Sequence, residues 1–210
     1  DGTIAAARAF ADRLPPEVVP HGLNRGLGAA LRTGLMSALE RARDDDFIAT
    51  MDADNTHDPG LLPELYRRMG EMNADVVIAS RYAPGGREVG LTPLRRVLSR
   101  GASLLLTLTA PVRGARDYTC GYRLYRASLL RRAVTLWRGQ LIEEAGFTCM
   151  AELLLKLGRG GARVIDVCDS EYTGAGECLG AHEYEALLAA HAPLARLQGP
   201  ADEWDAIAVS

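Results

Sequence analysis

At 210 residues, 48% apolar and 24% charged, the chain can bury the core of one domain, or two at most, and has the composition of an ordinary globular protein. Its longest mainly apolar run, residues 101–112, is too short to span a bilayer. Four cysteines without a C-x-x-C pair indicate neither a zinc site nor a disulfide scaffold, so reducing cytosol is the expected compartment. The net charge of −3 conceals an asymmetry: residues 1–165 hold 23 Lys+Arg against 18 Asp+Glu, whereas residues 166–210 hold 1 against 9. Residues 81–132 alone carry eleven Arg and two acids, and such a run implies an anionic partner: phosphate, nucleic acid or an anionic lipid surface.

Taken in order, Asp1-Gly2-Thr3 reads as a turn and cap. Ile4, Ala7, Phe10, Ala11 and Leu14 then recur at helical spacing, predicting a helix over 4–14 that Pro15-Pro16 ends. A short strand is expected at 17–20, followed by Asn24-Arg25-Gly26-Leu27-Gly28 and a helix to about Arg43 with Leu27, Leu31, Leu35 and Leu39 on one side. The apolar FIATM at 47–51 predicts a buried strand, and Pro59 opens a helix to about Met72. Residues 74–79 form a continuous apolar run suited to a buried parallel strand. A long helical stretch over 93–109 follows, with Arg95, Arg96 and Arg100 along it. Further strands are predicted at 117–126 and 163–167, and helices at 127–134 and 145–157. The alternation predicts an α/β fold with a mostly parallel sheet flanked by helices. Residues 1–168 form the expected domain, and 169–210 an atypical acidic tail with one amphipathic stretch at 182–197.

The stretch around which the rest is organised is Met51-Asp52-Ala53-Asp54. Residues two apart on an extended segment point the same way, so both carboxylates can face one point past the strand's C-terminal end. Ligands of open α/β sheets bind there. Two hard oxygen ligands with room for water and phosphate suit Mg²⁺ or Mn²⁺ bridging a diphosphate. A D-x-D triplet is more often a solvated turn; its place at the end of an apolar strand is what favours a metal.

The other candidates are weaker singly. The backbone N–H groups of Asn24, Gly26 and Gly28, at a helix start, could meet an anion, although the segment is neither a dinucleotide fingerprint nor a P-loop. Arg81 and Arg96 read as surface charge or, from loops after an α/β sheet, as forks for phosphate. Glu152 on an apolar helix is more often a boundary residue than a catalyst, and His57 more often orders a loop than binds metal. No G-x-S-x-G or Cys/His pairing supports a nucleophilic hydrolase.

The order of NRGLGAALRTG, MDADNTHDP, ADVVIASRYAPGG, RRVLSRGAS and DYTCGYRLYR resembles the family 2 glycosyltransferases of the GT-A fold, nearest to the dolichyl-phosphate mannose synthase and polyprenyl-phosphate sugar transferase group. The resemblance covers residues 1 to about 167. It implies metal and nucleotide diphosphate on Asp52 and Asp54, with Thr56 as a weaker third ligand. Ser80, Arg81 and Tyr82, with Arg96 and Ser99, are similar to the acceptor-phosphate side. Asp117, Thr119, Gly121 and Arg123 match a D-x-T-[SC]-G-[FY]-R segment that contacts substrate, and Glu152 matches the family's helix Glu. Asp54, Arg81 and Arg96 are thus the expected catalytic residues.

What the resemblance implies in partners is a nucleoside diphosphate sugar of the GDP-mannose or UDP-glucose type, a polyprenyl phosphate, no nucleic acid, and a peripheral place at the cytoplasmic face of a membrane. The chain departs from the family at three places. It opens at the last Asp-Gly-Thr of the segment that holds base and ribose, Cys149 replaces an aromatic residue, and acidic sequence replaces a basic Ser-Lys segment beyond Val167. An alternative is a family 2 transferase for a soluble hydroxyl acceptor, with Asp117 or Glu152 as base. A binding-only fragment is another.

Overall fold

The computed structural model describes residues 3–9, 16–53, 56–83, 101 and 106–168. Asp54, Arg96, Ser99, most of the stretch over 93–109 and the tail 169–210 lie outside them. Helix α1 (Thr3–Arg8) comes first. Residues 16–20 carry no strand, against expectation. A short extended segment needs a partner strand to hold it; here Val19 is 48% exposed, and Glu17 is tied sideways to Arg41 at 2.7 Å.

Helix α2 (Leu27–Arg41) starts where the glycine-rich segment predicts. The glycines are there for close approach. The Gly28 N–H donates to the Ala145 carbonyl at 2.9 Å, and a Cβ on Gly28 would stand 1.7 Å from the Glu144 carbonyl oxygen. Gly26 has φ +83° and would bring a Cβ within 2.6 Å of the Ala145 carbonyl oxygen. Any side chain at either position would push α2 off the 144–145 loop.

Strands β1 (Phe47–Thr50), β2 (Val76–Ser80), β3 (Arg123–Arg126) and β4 (Val164–Cys168) form one sheet in the order β1-β3-β2-β4. Strand β3 is antiparallel to both neighbours, and β2 and β4 are parallel. The α/β class with flanking helices therefore holds, but the described sheet is mixed rather than mostly parallel, with the FIAT strand at an edge. The physical reason is that a continuous apolar run reports burial on both faces, not direction. All five residues of β2 are buried, as such a run requires. The strand expected over 117–126 shortens to β3, because the Asp117 carboxylate accepts the N–H groups of Thr119 (3.2 Å) and Cys120 (3.0 Å). That local bonding replaces a ladder and makes 117–122 a loop.

A 3₁₀ turn, Pro59–Leu61, is capped by the Asp58 side chain accepting from the Gly60 N–H at 2.8 Å. Helix α3 (Leu62–Glu71) continues it and lies on β2, β3 and β4. Leu65 and Met69, four apart, are both 0% exposed, while Glu64, Arg67, Arg68 and Glu71 pair on the outer side. Those exposed pairs contribute only tenths of a kcal/mol each, roughly 0.2–1; the two buried side chains contribute about 1.5–3 kcal/mol apiece. Helix α4 (Ala127–Leu136) follows β3 directly, and α5 (Thr148–Arg159) packs on α2 and α4. Every residue of α5 from Thr148 to Leu157 is buried, Lys156 included. No helix among the described residues is long and apolar enough to cross a membrane.

Candidate active site

Strands β1 and β2 are each antiparallel to β3 and hence parallel to one another, so both deliver the residues that follow them to the same edge of the sheet. Asp52 stands two residues after β1 and Arg81 one after β2. With one strand between them, the two backbones are about 10 Å apart.

The Asp52 carboxylate is 39% exposed and shares a 3.2 Å hydrogen bond with Nε2 of His57, whose side chain is 2% exposed. The His57 ring lies 5.2 Å from that of Tyr122, and the Tyr122 hydroxyl donates to the Asp58 carbonyl at 3.1 Å. Gly121 faces the carboxylate directly: a Cβ there would be 2.9 Å from Asp52 Oδ1. The Thr50 hydroxyl donates to the Gly121 carbonyl at 2.7 Å, fixing that bare backbone beside the acid. A cleft of about 330 Å³ runs between α2 (Leu27, Leu31, Leu35), β1 and Met150, and ends at Asp52 and Gly121.

Thr56 is buried close by, 3% exposed; Asp54 lies outside the described residues. Among the described residues no three His, Cys, Asp or Glu converge. What is present is a partly exposed oxygen donor opening on a cleft, which fits a hard ion that keeps water and phosphate ligands, as Mg²⁺ or Mn²⁺ does.

At the other end Arg81 donates from Nε and Nη2 to the two oxygens of Asp117 at 2.8 and 2.9 Å, and from Nη2 to the Thr119 hydroxyl at 2.9 Å. Its side chain is 9% exposed and that of Asp117 0%. Burial works to raise the Asp117 carboxyl, but the Arg81 charge and hydrogen bonds overcome it and hold the group below its usual range. Burial likewise opposes the Arg81 cation, and Asp117 keeps its pKa well above the ordinary value. The pair is a rigid, neutralised fork, with the Tyr82 ring 5.3 Å from the guanidinium carbon and the Ser80 hydroxyl accepting the Tyr82 N–H at 3.2 Å. Residues 117–122 therefore touch Arg81 at one end and Asp52 at the other, joining two groups that the sequence separates.

Two other sequence candidates sit deeper. Arg123 is 0% exposed and donates to the Met150 and Tyr118 carbonyls, each at 2.8 Å. Glu152, 5% exposed, accepts from the Glu143 and Glu144 N–H groups and from Lys156 at 2.7 Å. It thereby fixes the loop against which Gly26 and Gly28 pack, so its reach to the cleft is indirect. The amides at the start of α2 are partly committed as well: Gly26 N–H donates to Asn24 Oδ1 at 2.9 Å and Gly28 N–H to Ala145. Burial pushes the Cys120 and Cys149 thiols up to about 12, so neither is a thiolate at neutral pH. Tyr122, Thr50 and Asp166, described below, were not singled out by sequence; an acid inside the apolar strand VIDVC was the available signal for the last.

The model of "Glycosyl transferase family 2" matches residues 1–133, a span that includes Asp52, Arg81 and Asp117. The chain is 35% identical over 168 residues to an undecaprenyl-phosphate mannosyltransferase of Micrococcus luteus, covering 80% of this chain and 65% of the relative. It is 31% identical over 166 residues to a polyprenol monophosphomannose synthase of Mycolicibacterium smegmatis, 79% of this chain and 60% of the relative. A dolichol-phosphate mannosyltransferase of Pyrococcus furiosus is 26% identical over 157 residues, 74% of this chain and 41% of the relative. The chain thus spans less than two thirds of the length of these relatives. A match running from the first residue through the Asp52 and Arg81 ends of one sheet edge leads to a single assignment: the chain belongs to glycosyl transferase family 2.

Proposed function

We propose that the chain is the catalytic part of an inverting transferase that moves a hexosyl group, mannosyl by likeness to its relatives, from a nucleoside diphosphate sugar to a polyprenyl phosphate. Residues 1–168 are the transferase domain in this reading, and the acidic sequence 169–210 is not counted in it. The observation that carries it is the delivery of Asp52 and Arg81 to one sheet edge about 10 Å apart, a span fit for a diphosphate at one end and a phosphate at the other.

Asp52 and Asp54, with Thr56, would hold Mg²⁺ or Mn²⁺, which when bound neutralises charge developing on the leaving diphosphate. The acceptor phosphate oxygen attacks the anomeric carbon as the bond to the diphosphate breaks and its electron pair leaves with that group. One displacement inverts the centre. The attacking oxygen is already anionic at neutral pH, so no general base is required; Arg81 and Arg96 position it. A soluble hydroxyl acceptor would require one, and the two carboxylates available for that role are committed, Asp117 to Arg81 and Glu152 to Lys156 and two amides.

The basic, partly apolar stretch over 93–112 would rest on the cytoplasmic face of a membrane, each Arg near anionic lipid contributing about 1 kcal/mol. The test is a panel of sugar nucleotides, GDP-mannose and UDP-glucose included, supplied with Mn²⁺ and a polyprenyl phosphate in vesicles. Transfer is expected only where lipid phosphate is present, with Arg96→Ala raising the KM for that lipid more than the donor KM. Glycosylation of a soluble hydroxyl without lipid overturns the reading, as does equal loss of both substrates in Arg96→Ala.

A further inference from the structure

One half-buried acid is used by neither end of the cleft. Asp166 stands inside β4, opposite Ile78 of β2, with core residues Val164 and Val167 around it. It lies beyond the residues matched by the family model. Acids are depleted from strand interiors because the pleated, half-buried surface offers them little, so a carboxylate at this position calls for a physical account.

Its contacts supply one. Oδ2 accepts the N–H groups of Arg116 at 3.1 Å and Asp117 at 3.2 Å. Oδ1 is buried with no donor at hydrogen-bond distance among the described residues. The Asp117 whose amide is held in this way is the residue that grips Arg81 with both carboxylate oxygens. Strand β4 thus controls, through two peptide amides, the height and tilt of the fork that anchors Arg81. The groups facing the acid are the Ser80 hydroxyl from β2 and, from the loop, the Arg116 and Asp117 amides and the Asp117 carboxylate. Burial pushes its carboxyl up to about 6, with the neighbouring Ser80 hydroxyl opposing and the Asp117 charge adding to the rise.

We propose that Asp166 is a positioning residue for Arg81, acting through the Arg116 and Asp117 amides to hold the guanidinium where an acceptor phosphate would meet it. The clause about the phosphate rests on the function proposed above; the coupling to Arg81 does not. When Asp166 takes up a proton its grip on the two amides weakens, and the Arg81 seat loosens with it.

Two substitutions and two readouts test this. Asp166→Asn keeps an oxygen for the amides but cannot ionise, and Asp166→Ala removes the acceptor. The ¹⁵N resonance of Arg81 Nε–H reports the seat without any catalysis. In the unsubstituted chain it is expected to titrate with a midpoint near 6, to lose that step in Asp166→Asn, and to move at every pH in Asp166→Ala. In transfer assays Asp166→Ala is expected to raise the KM for polyprenyl phosphate about tenfold, with kcat and donor KM changed less than about threefold, and Asp166→Asn, neutral like the protonated acid, to raise it less than Asp166→Ala does.

An Arg81 resonance blind to both substitutions overturns the proposal. A resonance that responds while the acceptor KM stays fixed supports the coupling and overturns instead the assignment of Arg81 to the acceptor. A fall in kcat alone, with the resonance unmoved, marks Asp166 as merely structural and also overturns it. If Asp166→Ala does not fold, by circular dichroism, the Asp166→Asn titration decides the matter alone.

Discussion

Asp52→Asn is expected to reduce metal-dependent transfer by about 10²–10³-fold or more, the loss that follows removal of one preorganised charge from a reacting site, and to leave the fold as it was. The second half follows from the geometry. The side chain is 39% exposed, it bonds to His57, and an amide has the same shape and still offers an oxygen to Nε2. A readout without turnover separates metal loss from misfolding. Mn²⁺ at about 100 times its Kd stabilises a native site by about 2.7 kcal/mol, which is roughly 5–10 °C for a domain of this size. That shift should be present in the unsubstituted chain and absent in Asp52→Asn. Unchanged activity, or an unchanged Mn²⁺ shift, would remove Asp52 from the metal site.

Asp117→Asn should do the reverse, costing stability first. It leaves the Arg81 guanidinium, 9% exposed, without its carboxylate. Breaking a buried pair from one side costs about 3–5 kcal/mol, or roughly 6–20 °C in Tm. The pH dependence has a definite sign. A carboxyl held below its ordinary value near 3.8 binds fewer protons folded than unfolded. Its stabilisation is therefore present above that ordinary value and is lost as pH falls through the lowered folded one. Acid scans should show this loss in the unsubstituted chain and not in Asp117→Asn. Arg81→Met combined with Asp117→Leu should regain part of the stability without regaining transfer. Equal destabilisation of single and double variants would trace the cost to packing rather than to the stranded charge.

The helices were the most legible part of the sequence. Leucines at helical spacing and an opening glycine segment marked α2 within about two residues, and Pro59 marked the turn into α3. Strand positions were legible as apolar runs, but their directions were not. A run such as Val76–Ser80 is buried in the same way whether its neighbour runs with it or against it, so the antiparallel insertion of β3 left no trace. The segment at 17–20 looked like a strand because composition reports propensity, whereas a strand exists only where another pairs with it.

At the site, Asp52 and Arg81 could be singled out because each ends an apolar run. The pairing of Arg81 with Asp117 could not, since 36 residues separate them and nothing local announces the contact. Glu152 and Gly28 were visible as unusual residues in their helices; that they meet through the 143–145 loop is a fact of tertiary packing alone.

Lys156 is the single lysine of the chain, and it lies fully inside α5, bonded to Gln140, Glu143 and Glu152. Every other cationic side chain is an arginine, which acylating reagents ignore. Apart from the terminal amine, such a reagent finds its target only when α5 parts from the 140–143 loop, so the rate of mass increase on this one ε-amine clocks local opening. The same loop seats the start of α2 beside the cleft, and a ligand bound there would slow that clock.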